Sequence, residues 1–155
     1  LLKGIATGAG MGVSIVEGAN GGLETNYEGK TQAALKALLE DGYDFAYIHV
    51  EAPDEMGHQG SVEKKVKAIQ YLDQRVIGPL TKALDEKKVE YRLLVLPDHP
   101  TPIRVRTHTS DPVPYLLYDS TQPMEQTWDY NERSGKASGN YIAEGYKLIE
   151  HLFEK

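Results

Sequence analysis

Residues 45–50, Phe-Ala-Tyr-Ile-His-Val, make a mostly apolar run that stops short of Pro53. Within it, Phe45-Ala46-Tyr47-Ile48 does not alternate between polar and apolar side chains. That pattern suits a parallel strand covered on both faces, and such strands belong to α/β proteins with helices on each side of the sheet. Just beyond the run the residues turn chemical. Asp54 and His58 come at a spacing of four. On a helical turn, i and i+4 share a face, so a carboxylate and an imidazole converge on one point. An oxygen and a nitrogen donor together suit zinc, manganese or iron. A solvated helix start explains the same pair equally simply.

The rest of the chain alternates in the same α/β manner. Residues 1–10 are apolar and read as the end of a helix, and 12–16 as a short strand. A Gly-rich loop over 18–29 leads to a helix over 30–40, with Ala34, Leu35, Leu38 and Leu39 inward. Asp41-Gly42 ends it, and residues 43–50 form the strand already described. A long helix is expected over 61–87, with Val62, Val66, Ile69, Leu72, Val76, Leu80 and Leu84 on one period and Pro79 placed to kink or break it. Residues 91–96 read as a second buried strand closed by Pro97, and 115–118 as a strand entered through Pro112-Val113-Pro114. Residues 120–135 lack pattern and read as a surface loop that could hold a short strand. An amphipathic helix closes the chain over 138–154, with Tyr141, Ile142, Tyr146, Ile149 and Leu152 inward.

Composition narrows the classes of function. At 155 residues and 40% hydrophobic, the chain can build one domain or about half of a larger one. The net charge is −6 and no run of Lys or Arg stands out, which argues against nucleic acid or an anionic membrane surface as partner. With no cysteine, disulfides and thiolate metal sites are both excluded. No apolar stretch nears the roughly 20 residues that span a bilayer. The first residue is Leu1 rather than Met, and the chain reads as a piece of a longer one.

Two more stretches repeat the donor chemistry of Asp54 and His58. The strand over 91–96 leads into Pro97-Asp98-His99-Pro100, and further on stands Arg106-Thr107-His108-Thr109-Ser110-Asp111-Pro112. Strands of a parallel sheet share one carboxyl edge, where open α/β folds place their sites. Asp54, His58, Asp98, His99 and His108 are therefore expected together at that edge. Loop capping and turning is the plainer role for the same residue types.

Asp-x-x-x-His after one strand, Asp-His after another, and His-Thr-x-x-Pro-Val-Pro resemble the metal-binding set of the alkaline phosphatase superfamily. More narrowly, the chain resembles the cofactor-independent (2,3-bisphosphoglycerate-independent) phosphoglycerate mutases of the archaeal-type branch. Gly21-Gly22-Leu23-Glu24-Thr25-Asn26-Tyr27 and His49-Val50-Glu51-Ala52-Pro53-Asp54-Glu55 are close to that branch's wording. The resemblance implies an alkaline-phosphatase-like core, incomplete here, with residues 1–155 as the C-terminal part of the metal-binding phosphatase/mutase domain and no separate second domain. It implies two divalent ions, Mn²⁺ first, with Zn²⁺, Mg²⁺ or Co²⁺ as alternatives. Asp54, His58 and His108 match the ligands of one ion, Asp98 and His99 two ligands of the other, and Lys30 a lysine on the substrate phosphate. It implies a cytoplasmic, glycolytic isomerase that converts 3- to 2-phosphoglycerate through a phosphoserine. A further Asp and the nucleophilic Ser are expected upstream, in a missing N-terminal half that would be this piece's partner, so the piece alone is expected to be inactive. A phosphatase or phosphopentomutase-like relative, and a folded inert module, are the alternatives.

Other motifs lead elsewhere. Glu28-Gly29-Lys30-Thr31 ends like a phosphate-binding loop, but Glu24 stands where its first glycine belongs. Gly8-Ala9-Gly10-Met11-Gly12 has the wrong spacing for a dinucleotide fingerprint. His49 lies within an expected strand and fits a hydrogen-bonded interior histidine, His151 a surface position, and Asp73 a solvated helix face.

Overall fold

The computed structural model describes residues 1–122 and 128–154. The expected loop over 120–135 lies partly outside them. In order the chain forms α1 (Leu2–Gly8), α2 (Tyr27–Leu39), α3 (Ala52–His58), α4 (Val62–Leu72), a π-helical turn (Asp73–Ile77) and α5 (Gly78–Glu86). Then come β1 (Arg92–Val95), β2 (Leu116–Asp119), α6 (Glu132–Ser138), a 3₁₀ turn (Gly145–Lys147) and α7 (Leu148–Phe153). Helices and strands are both present. The chain divides into two compact units, residues 1–56 with 61–83 and residues 57–60 with 84–155.

The first unit is built on Tyr27, which is fully buried with Ala52, Met56, Ala68 and Val76; Leu23, Ile48, Val50 and Tyr71 pack on this cluster. Tyr27 satisfies its hydroxyl by donating to the Leu23 carbonyl at 2.9 Å. Asn26 caps α2, its Oδ1 accepting from the Gly29 amide at 2.8 Å while its Nδ2 donates to the Glu17 carbonyl. Gly29 is glycine for space: a Cβ there would sit 2.5 Å from Asn26 Nδ2 and 2.6 Å from Val16 Cγ1.

Pro79 acts as expected in cause but not in form. Proline has no N–H, so the carbonyl of Arg75, four residues earlier, loses its helical donor. The helix does not break at Pro79; it widens into the π turn just before it. Thr31, buried on α2, supplies the donor instead, its hydroxyl lying 3.1 Å from the carbonyl oxygens of both Arg75 and Tyr27. Above this contact the Arg75 guanidinium lies 4.8 Å from the Tyr27 ring centre and 4.7 Å from that of Tyr71. It also forms a two-pronged pair with Glu28, at 2.6 and 2.8 Å. The wider turn changes the helical phase. Val76, Leu80 and Leu84 are buried, whereas Val62, Val66 and Ile69 are exposed and Ala68 takes the inward place on α4.

In the second unit β1 and β2 pair antiparallel, with Arg92 opposite Asp119 and Val95 opposite Leu116. Tyr130 places its hydroxyl 3.2 Å from the Pro114 carbonyl oxygen and 3.4 Å from that of Val95, next to the open end of the pair. At the other end, Arg92 Nε donates to Asp119 Oδ2 at 2.8 Å.

Two expectations are corrected and a third is met only in part. Among the described residues the sheet has two antiparallel strands, so a mostly parallel sheet with helices on both faces is not seen there. Residues 12–16 and 43–50 are not in it. An apolar run can say that a segment will be covered, but a ladder needs a partner at the right height, and β1 finds its partner in β2. The closing helix over 138–154 is broken. Gly139 ends α6 in a left-handed conformation, φ 74°, and helix resumes only at the 3₁₀ turn from Gly145. Tyr141, Tyr146 and Ile149 are consequently exposed, and Leu148 is the residue that α7 buries.

Both units offer a stability test. Thr31→Val takes the Thr31 donor from the Arg75 carbonyl in a part-buried place and should cost about 1–3 kcal/mol in urea unfolding, while Thr31→Ser keeps most of the stability. Asp119 has its carboxyl held down to about 2, first by the Thr121 hydroxyl, then by the Thr121 amide and Arg92. A depressed carboxylate stabilises fully above its unfolded value, near 4, and loses that contribution as pH falls to about 2. Acid titration by circular dichroism should therefore show a steeper loss between pH 4 and 2 in the native protein than in Asp119→Asn.

Candidate metal centre

Helix α3 carries the first two donors. Pro53 occupies its first turn, where a missing N–H costs nothing, and the amides of Asp54 and Glu55 bond back to the Glu51 carbonyl at 2.9 and 3.1 Å. One turn separates Asp54 from His58, so the helix itself sets their relation. Immediately after His58 the helix stops. The Ser61 amide bonds to the Met56 carbonyl at 3.1 Å and the Gly60 amide to the Gly57 carbonyl at 3.0 Å, with Gly60 left-handed at φ 70°. These two bonds are a Schellman ending, which favours glycine at that position.

His58 is held from the loop before His108. Its Nδ1 lies 3.0 Å from the Arg106 carbonyl oxygen. A carbonyl only accepts, so Nδ1 carries a proton and Nε2 is left to face outward with its lone pair. That Nε2 lies 3.2 Å from Nε2 of His108. Two nitrogens on a tetrahedral cation, each 2.0–2.1 Å from it, stand roughly 3.3–3.4 Å apart. Asp54, His58 and His108 each offer one donor atom, all within 4.8 Å of one another. Asp54 and His58 are half-buried and His108 is exposed, so the set is open to solvent on one side. The donor chemistry and spacing fit a divalent cation.

Asp98 and His99 do not join this set of three, but His99 adjoins it. Its ring centre is 3.6 Å from that of His108. Its Nδ1 lies 3.4 Å from the hydroxyl of buried Thr101 and its Nε2 3.5 Å from Asp98 Oδ2. The backbone amide of His99 also donates to Asp98 Oδ1 at 3.1 Å. Asp98 and His99 thus form their own pair, tied to the triad through close, mutually tilted imidazoles.

Lys30 stands in the first turn of α2. Its Nζ donates to the His49 carbonyl at 2.6 Å. Burial pulls its pKa below the usual lysine range, the Glu51 carboxylate opposes that, and Lys3 adds to it. His49 is not in a strand; its ring stacks near Tyr47, at 6.1 Å, and Nε2 lies 3.6 Å from Glu51 Oε1. His151 is exposed and pairs with Glu154. Glu51 stands within a stretch already quoted for its resemblance, but only folding sets it beside Lys30. Arg106 is a second residue that the sequence does not single out. Its contribution is a backbone carbonyl, to which side-chain identity gives no clue.

A family model described as "Metalloenzyme superfamily" matches residues 1–143. The chain is 52% identical over 154 residues to the 2,3-bisphosphoglycerate-independent phosphoglycerate mutase of Methanosarcina acetivorans and 50% over 155 residues to that of Methanosarcina mazei. It is 45% identical over 152 residues to the protein of that name from Methanothrix thermoacetophila. These alignments take in 98–99% of the chain but only 38% of each relative, so the chain spans less than two-fifths of their length. The part matched is the C-terminal one. Among solved structures it resembles one titled "Structure of PH0037 protein from Pyrococcus horikoshii", at a TM-score of 0.86 and 31% identity. That match covers 98% of this chain and 44% of the other.

Proposed function

This chain belongs to the Metalloenzyme superfamily, and on that premise we propose that it is the metal-holding, C-terminal part of a cytoplasmic phosphoglycerate mutase that needs no bisphosphoglycerate. One observation carries the reading. Two imidazole nitrogens 3.2 Å apart, with Asp54 a helical turn from one of them, make a three-donor set in a family named for its metals.

Asp54, His58 and His108 would hold one divalent ion, Mn²⁺ in our reading, and Asp98 with His99 would contribute to a second. Such ions clamp phosphoryl oxygens and lower the pKa of an attacking hydroxyl. Lys30, a partly desolvated ammonium, would offer a point charge to the phosphate of 3- or 2-phosphoglycerate. The serine that takes up the phosphoryl group would lie in the part of the relatives' length that this chain does not span. Several serines of the chain are already engaged: Ser61 Oγ accepts from the Lys64 amide, Ser120 Oγ from the Tyr91 amide, and Ser138 Oγ donates to the Gly135 carbonyl. In the whole protein, the core would be a mostly parallel sheet with helices on both faces.

Calorimetry with Mn²⁺ and Zn²⁺ tests the metal assignment. Binding should be seen at neutral pH, weaken in acid because each imidazole must be unprotonated to ligate, and drop at least about ten-fold in Asp54→Asn, His58→Ala and His108→Ala. No binding by the native chain would sink the assignment. In an assay coupled to enolase, the chain alone with Mn²⁺ and 3-phosphoglycerate should show no mutase turnover, since removing a covalent nucleophile usually removes most of the rate. Sustained turnover would place a nucleophile inside residues 1–155.

A further inference from the structure

His58 can ligate through Nε2 only if its other nitrogen keeps the proton, and the partner that enforces this is a backbone oxygen, Arg106 O, 3.0 Å from Nδ1. That oxygen is aimed by an uncommon backbone. Among the described residues, only Lys88 and Arg106 have positive φ without being glycine. Arg106 stands at φ 58°, closing a turn in which its amide bonds to the Pro102 carbonyl at 2.8 Å and the Val105 amide to the same oxygen at 2.9 Å. Strain of this kind persists where the surroundings over-determine it, and it gathers at functional sites.

The surroundings here are Gly60. A Cβ on Gly60 would lie 2.4 Å from Arg106 Nε and 2.7 Å from its Cζ, so the guanidinium packs onto bare backbone. The Gly60 that ends α3 just after His58 is thus the surface on which the Arg106 side chain rests. Both left-handed residues meet at one place, with His58 two residues before Gly60 and bonded to the Arg106 carbonyl.

We propose that Arg106 is a positioning residue for His58. Its left-handed backbone points a carbonyl at Nδ1, fixes the ring in the Nδ1–H form and leaves Nε2 turned toward His108. The guanidinium on Gly60 seats the turn, while the conformation at Arg106 does the aiming. This deepens the metal reading above and rests on it for the consequence in metal affinity, but the ring's protonation form can be read without any metal.

The test compares two substitutions that both remove the guanidinium. Glycine adopts positive φ freely, whereas a β-branched residue there is a true outlier. In ¹⁵N-labelled, metal-free protein near pH 8, long-range ¹H–¹⁵N spectra should show His58 as the Nδ1–H form in the native protein and in Arg106→Gly. Arg106→Val should show a mixture or the Nε2–H form, and should bind Mn²⁺ about ten-fold or more weakly than Arg106→Gly. If Arg106→Val does not fold by circular dichroism, Arg106→Thr, also β-branched but polar, takes its place. The proposal is overturned if the β-branched variant keeps the native pattern, or if Arg106→Gly loses it, which would make the side chain the agent. Failure of the native protein to bind Mn²⁺ counts against the metal reading alone, because the spectra still decide the positioning role.

Discussion

Helix α3 is seven residues long, and the candidate site depends on where it starts and stops. One turn of it puts Asp54 and His58 on one face, a relation that backbone hydrogen bonding makes nearly invariant. The Schellman ending at Gly60 halts the helix just past His58. Had the helix run on, the backbone of residue 60 would not be turned out to receive Arg106. A short helix is a weak structure by itself. Here it is anchored by Ala52 and Met56, both buried in the first unit.

The same economy of backbone groups explains the irregular middle of the chain. Pro79 removes one donor, and the consequences spread through the first unit. The helix widens over Asp73–Ile77, Thr31 turns its hydroxyl to the stranded carbonyl, and Arg75 stands over Tyr27 and Tyr71. A half-buried carbonyl left unpaired is costly enough that a second helix contributes a side chain to answer it. The phase change then decides which apolar residues face inward on either side. A continuous 3.6-residue stripe drawn from Val62 to Leu84 could not anticipate that.

Much of the site was readable from the order of residues. Spacing alone placed Asp54 and His58 together, because i and i+4 in a helix leave few options. The contact of Asp98 with His99 is a finding of the structure, since adjacent side chains ordinarily point different ways. The meeting of His58 with His108, fifty residues apart, was expected only from the idea of a shared sheet edge and from resemblance to a known ligand set. No periodicity reports how the loop after β1 returns. The role of Lys30 on a phosphate also came from resemblance, and what the structure adds is a partly buried ammonium bonded to His49 and opposed by Glu51.

What the sequence determined by itself is local: where helices begin and end, which residues cap them, and which donor types stand near one another along the chain. Capping, proline and glycine act within a few residues, so their consequences are written in order. Strand partners were decided by tertiary structure alone. Phe45-Ala46-Tyr47-Ile48 signals burial but not a neighbour, and β1 pairs with a strand reached about twenty residues later, in the opposite direction. The protonated nitrogen of His58 was decided there too, since it depends on a carbonyl oxygen that every residue possesses and that only folding can aim.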